Sequence, residues 1–221
     1  SGKDRRGPYI PNWWTRIDRG DSWDYLPGTE EPPSDWLQLS FDSSDWQSGP
    51  TGIGYGDDDD ATELATGTRS CYLRKTFSLP SPSSFLGLAL HVDHDDGFVA
   101  YLNGREIARA NMGEAGGGPP PWNAQPILNT EAEMYDGGDP VGFFLLGDSL
   151  PLLLDENLLA IQVHNRVGSW DMSLIPFLTL GRAESVPGGI APVLAHLFHN
   201  LHTNFKLDAD GETLLLSDPD G

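Results

Sequence analysis

Before residue 185 the chain is built of short apolar runs broken by glycine, proline and aspartate, with almost no three-to-four periodicity of an amphipathic helix. Residues 69–79, RSCYLRKTFSL, alternate, with Cys71, Leu73 and Lys75 opposing Tyr72, Arg74 and Thr76. That pattern predicts a strand with one wet face. FLGLALHV follows a Pro-Ser turn, is apolar on both faces, and predicts a central strand. Asp95-Asp96-Gly97 and Asn103-Gly104 then separate LGLALHV, FVAYL and REIARA. Asp-Gly and Asn-Gly tolerate positive φ, so the segment is expected to be a three-stranded meander.

Strand geometry sends His91 and Asp93 to one face and Val92 and His94 to the other, which splits the cluster HVDHDD across the sheet. A zinc site there would need a ligand from elsewhere, and His164 is the candidate. Asp155-Glu156-Asn157 predicts a turn before a long strand, LLAIQVHN; MSLIPFLTL closes the series, with Pro176 marking an edge or a bulge. In the first sixty residues Trp13, Trp14, Trp23, Trp36 and Trp46 recur among turn formers, as expected of large rings anchoring irregular loops. The body reads as all-β.

The tail differs in kind. After SVPGGI, the positions Ile190, Val193, Leu194, Leu197, Phe198 and Leu201 fall at helical spacing and predict a short amphipathic helix. His196, His199 and His202 lie three apart on it and read as its polar flank, with metal binding as the alternative. Asp210-Gly211 and Asp220-Gly221 mark turns of a closing hairpin.

Charge narrows the function. With 33 acidic and 13 basic residues the formal net charge is −20, which repels nucleic acid and anionic membrane surfaces. No apolar run is long enough to insert in a membrane, and the N-terminal SGKDRRGPYI lacks the apolar core of a signal peptide. Cys71 is the sole cysteine, so no internal disulfide forms.

The chemistry on offer is sparse. There is no G-x-S-x-G elbow and no G-x-x-x-x-G-K phosphate loop, and among so many acidic residues a catalytic carboxylate pair does not stand out. In GYGDDDDAT, Asp57, Asp58, Asp59 and Asp60 offer hard oxygen ligands that suit Ca2+, against the alternative of a solvated acidic loop. Residues 113–140 form a long irregular insertion carrying Trp122.

DDGFVAYLNGREIARAN followed by DENLLAIQVHNRVGSWDMSLIPFLTL resembles the galactose-binding-domain-like β-jelly rolls that serve as accessory modules in large secreted bacterial proteins. SDWLQLSFDSSDWQSGPTGIGYGDDDDAT resembles the entry of that family, and YLRKTFSL its first long strand. LHTNFKLDADGETLLLSDPDG resembles the closing strands of a lamin-tail module. The resemblance implies an N-terminal arm over residues 1–11, a jelly-roll β-sandwich over 12–182, and a linker, short helix and lamin-tail-like β-hairpin over 183–221. It also implies a ligand site on loops at one end of the sandwich, where aromatic rings stack on sugars. The residues that fit are Trp122, Trp170, Asp171 and Asn111, with calcium pinning a loop.

The function so implied is a non-catalytic module binding polysaccharide or cell-surface glycan, extracellular or on the cell surface. One alternative is an assembly subunit whose C-terminal strands pair with neighbouring domains or copies of itself; a hydrolase is the third.

Overall fold

The computed structural model describes residues 10–56 and 60–184. Its strands are β1 (Asn12–Ile17), β2 (Ser22–Pro27), β3 (Gln47–Pro50), β4 (Ile53–Gly54), β5 (Thr62–Glu63), β6 (Ser70–Ser78), β7 (Gly87–Asp95), β8 (Gly97–Leu102), β9 (Arg105–Ala110), β10 (Gly142–Leu145), β11 (Glu156–His164) and β12 (Ser173–Arg182). A four-stranded sheet, β1-β12-β7-β10, faces a six-stranded one, β3-β2-β6-β11-β8-β9, and both are antiparallel. Leaving β2 and β3 aside, the eight long-range strands interleave between the sheets in jelly-roll order. The expected all-β jelly-roll sandwich is therefore the fold.

Alternation builds the interior. Cys71, Leu73 and Phe77 of β6, Leu88, Leu90 and Val92 of β7, and Leu159, Ile161 and Val163 of β11 turn inward into one core between the sheets. The outward residues at the centre of the six-stranded sheet are also covered, which corrects the expectation of a wet face on β6 at Tyr72 and Arg74, while Thr76 stays exposed. Tyr72, Val99, Tyr101, Leu158 and Ala160 form a second cluster beneath Trp36. Arg74, 3 % exposed, holds that cover down by donating to the carbonyl oxygens of Trp36, Gln38 (3.1 Å) and Phe41 (3.3 Å). A tryptophan-rich segment with little strand thus stays ordered because one guanidinium satisfies three of its carbonyls.

The predicted meander is corrected as well. β8 and β9 do form a hairpin, turned at Asn103 and Gly104 with φ of 51° and 82°. β7, however, belongs to the opposite sheet, paired with β12 and β10. Asp95-Asp96-Gly97 is a corner at which the chain crosses between layers, so the apolar run before it and the one after it serve different sheets.

Trp13, Trp14 and Trp23 lie in strands, not in loops. Pro176 sits inside β12 opposite Val92, where the flanking β1 has already ended at Ile17↔Leu178. The strand is central but locally unflanked there, as a residue without an N–H requires. The expected C-terminal helix with His196, His199 and His202, and the hairpin over 204–221, lie outside the described residues.

Candidate functional site: an acidic pocket at the sheet-crossing corner

The crossing corner gives each of its aspartates a different task. Asp93, fully buried on the outer face of the four-stranded sheet, accepts hydrogen bonds from the backbone N–H groups of Glu133 (3.1 Å to either oxygen), Met134 (2.8 Å) and Val141 (3.2 Å). Asp96, also buried, accepts from the N–H of Thr130 (2.9 Å) and of Arg166 (2.9 Å). These carboxylates hold the long insertion against the sandwich on both sides of Glu131. Charge-assisted bonds to backbone N–H groups are the strong kind, so the loop is fixed even though it is irregular.

Between those anchors lies the third aspartate. Asp95, Glu131 and Asp171 each bring a carboxylate oxygen to within 4.8 Å of the others, Asp95 buried and Glu131 exposed. Burial, and after it the Asp96 and Asp171 carboxylates, push the Asp95 carboxyl up to about 9. Asp171 lies within hydrogen-bonding reach of the Asp95 carboxyl, which favours the protonated form of Asp95. Glu131 is also raised, first by desolvation and then by Asp171. A set of like charges held together by the backbone favours either a shared proton or a cation. The cluster could hold a metal, and its all-oxygen donor set suits a hard divalent ion; no histidine takes part.

A pocket of about 330 Å³ opens above the cluster, lined by Asn129, Glu131, Arg166, Ser169, Trp170 and Asp171 among others. Trp170 stands on its wall 90 % exposed, and Arg166 donates to Asn129 Oδ1 at 3.0 Å. Asp171 accepts from the Ser169 hydroxyl at 3.2 Å. Behind it Asn165, 1 % exposed, donates through Nδ2 to the Asp171 carbonyl oxygen (2.5 Å) and to the Tyr55 hydroxyl (2.9 Å).

The sequence-predicted ligand residues separate into two places. Trp170 and Asp171 meet at this pocket. Asn111, with φ of 59°, braces the insertion: it donates to the Asp96 carbonyl (3.1 Å), the Leu128 carbonyl (2.6 Å) and Thr130 Oγ1 (3.2 Å), and accepts from Leu128 N–H (2.8 Å). Trp122 is half-buried against the cluster of Trp36, Tyr72 and Tyr101 and does not line the pocket.

Of the aspartates expected to bind calcium, Asp57, Asp58 and Asp59 lie outside the described residues, and Asp60 approaches the Ser173 hydroxyl at 3.5 Å. His164, buried on β11, has its pKa lowered to about 4 by desolvation, and His94, held to about 4 in the same way, packs edge-on against Phe98 in the other direction. Sequence reasoning missed Asp95 and Glu131 as site residues. The first was concealed in an apparent turn, and the second had no signal within an acidic loop.

No protein-family model matches the chain, and no curated protein matches it. Among solved structures it is similar to a Bacteroides uniformis β-glucuronidase (16 % identity, TM-score 0.49), with 76 % of this chain matching 18 % of that one. It is also similar to a Bifidobacterium dentium β-glucuronidase complexed with coumarin-3-O-glucuronide (18 %, TM-score 0.46), over 74 % of this chain and 22 % of that one. A glycosyl hydrolase family 2 member from Bacteroides cellulosilyticus gives 14 % and 0.47 over 76 % and 20 %. The chain spans about a fifth of the length of these structures. No helix among the described residues is long and apolar enough to cross a membrane.

Proposed function

We propose that this chain is a non-catalytic carbohydrate-binding module, acting outside the cell as part of a larger protein, with the pocket beside Trp170 as its binding site and Ca2+ as the ion of the acidic cluster. The observation that carries the reading is Trp170: an indole 90 % exposed on the wall of a pocket whose other lining is mostly polar, with Val167 beside it. An indole presented beside polar groups in a pocket offers an apolar face on which a sugar ring can stack while its hydroxyls reach Asn129, Arg166 and Asp171.

A binding role suits the carboxylates better than hydrolysis does. Three carboxylates converge on a common point with one oxygen each within 4.8 Å of the others, an arrangement that suits a shared hard cation. Glycan-array binding by the full chain, lost in Trp170→Ala and kept in Trp122→Ala, tests the proposal. Equal binding by Trp170→Ala and the parent protein would overturn it.

A further inference from the structure

We infer that the sugar taken by the pocket beside Trp170 is an N-acetylhexosamine, whose acetamido methyl sits against Val167 while its amide bonds to the charged groups of the wall. This rests on the carbohydrate-binding reading above and goes further, because it names the sugar class and a residue that selects it.

Val167 is the observation that points there. Residues 166–169 form a tight turn, closed by Ser169 N–H donating to the Arg166 carbonyl at 3.2 Å, with Gly168 at φ of 89°. Positive φ there calls for glycine. The valine before it has no such reason: turns are made by Gly, Pro, Asn, Asp and Ser, and a β-branched side chain adds nothing to the bend. Val167 nevertheless lines the pocket, 68 % exposed. The turn that carries it is tied down, because Val167 N–H donates to Gln125 Oε1 (3.2 Å) and Arg166 N–H to the buried Asp96 carboxylate (2.9 Å). The wall thus presents a fixed aliphatic group close to an indole.

Charge narrows the ligand. The lining carries both signs, Glu131 and Asp171 against Arg166. A uronate faces two like charges there. The ammonium of an amino sugar offers no acceptor to Arg166 and no apolar group to Val167. A neutral group with a donor and an acceptor finds a complement for each, and a secondary amide is such a group. Its carbonyl accepts from Arg166, whose guanidinium has five N–H donors and commits Nη1 to Asn129 Oδ1. The amide N–H donates to a carboxylate oxygen of Glu131 or Asp171, and the methyl covers Val167. A hydroxyl in place of the acetamide keeps the polar contacts but leaves Val167 bare. At about 330 Å³ the pocket is at the small end for bound ligands, which suits one ring and its substituent.

The test uses the full chain with Ca2+ present and methyl glycosides in matched sets: N-acetylglucosamine, glucosamine and glucose, the three galacto counterparts, and methyl glucuronide beside them. NMR titration gives the affinities, and saturation transfer maps the contacts. In at least one set the N-acetyl member should bind about 10-fold more tightly than its congeners and than the glucuronide, with its acetyl methyl among the most strongly saturated protons. Val167→Ser should weaken the N-acetyl sugar about 3–10-fold and leave the hydroxyl sugar as in the parent. Val167 is exposed in a turn, so its substitution leaves the fold intact, which circular dichroism verifies.

Equal affinities within both sets, a preference for amino sugars or the glucuronide, an N-acetyl preference that survives Val167→Ser, or glycan-array binding confined to glycans without N-acetyl groups would each overturn this inference while leaving a carbohydrate module standing. A parent protein that binds none of these glycosides and nothing on the array would overturn both.

Discussion

Asp93→Asn is the substitution that most directly tests whether the insertion is held by carboxylates of the sheet-crossing corner. The change is nearly isosteric and removes no packing, but it turns one acceptor oxygen into an NH2 donor. Asp93 Oδ1 receives Glu133 and Val141 N–H, and Oδ2 receives Glu133 and Met134 N–H. Whichever way the new amide turns, one backbone N–H faces another donor: Val141 in one orientation, Met134 in the other. A lost hydrogen bond to a charged group costs about 1.5–3 kcal/mol, and a buried donor left unsatisfied adds about 1 kcal/mol. The expected loss is about 2–4 kcal/mol in urea unfolding, with faster amide exchange at Met134 and Val141 ahead of the sheet strands. A variant within about 0.5 kcal/mol of the parent, with unchanged exchange at those two amides, refutes the account.

Three further outcomes follow from the same geometry. In EDTA, Asp95 retains in the folded state, up to about pH 9, a proton that the unfolded chain releases near its ordinary value of 3.8. Stability should therefore fall as pH rises through that window, by at most ~1.4 kcal/mol per pH unit from this group, and Asp95→Asn should flatten the slope between pH 5 and 8. Parallel slopes for the two proteins would remove the assignment. Trp170→Ala should leave the urea unfolding free energy within about 0.5 kcal/mol of the parent because the ring is already in water, whereas Trp122→Ala should cost about 1–3 kcal/mol for apolar surface lost against Trp36, Tyr72 and Tyr101. The reverse order would show that the two indoles have been assigned the wrong environments.

Part of this was legible in the chain. Alternation in RSCYLRKTFSL and the doubly apolar FLGLALHV set their strands, and the hairpin at Asn103-Gly104 follows from residues that accept positive φ. The placing of His94 and Asp93 on opposite faces also holds: His94 packs on Phe98, and Asp93 binds the insertion. These are local properties, fixed by a two-residue repeat and by backbone sterics.

Pairing across the sandwich is not local. Nothing in Asp95-Asp96-Gly97 distinguishes a hairpin from a corner between sheets, because the choice depends on which distant strand offers the better register. Here β12 takes β7 over nine positions, Ser173↔Asp95 to Gly181↔Gly87, while β11 takes β8. The wet face expected for β6 failed at Tyr72 and Arg74 for the same reason: their cover, residues 36–41, is far away in sequence and is held by Arg74.

The site shows the same division. By itself the sequence determined an acidic, all-β jelly roll with aromatic and acidic residues in its loops, since composition and short-range pattern suffice for that. Only the tertiary structure decided which carboxylates meet. Asp95, Glu131 and Asp171 lie 36 and 40 positions apart along the chain. They converge because the chain changes sheets at Asp95 and because Asp93 and Asp96 bind the insertion on either side of Glu131. An ion or a shared proton depends on that convergence, to which sequence neighbours contribute no signal.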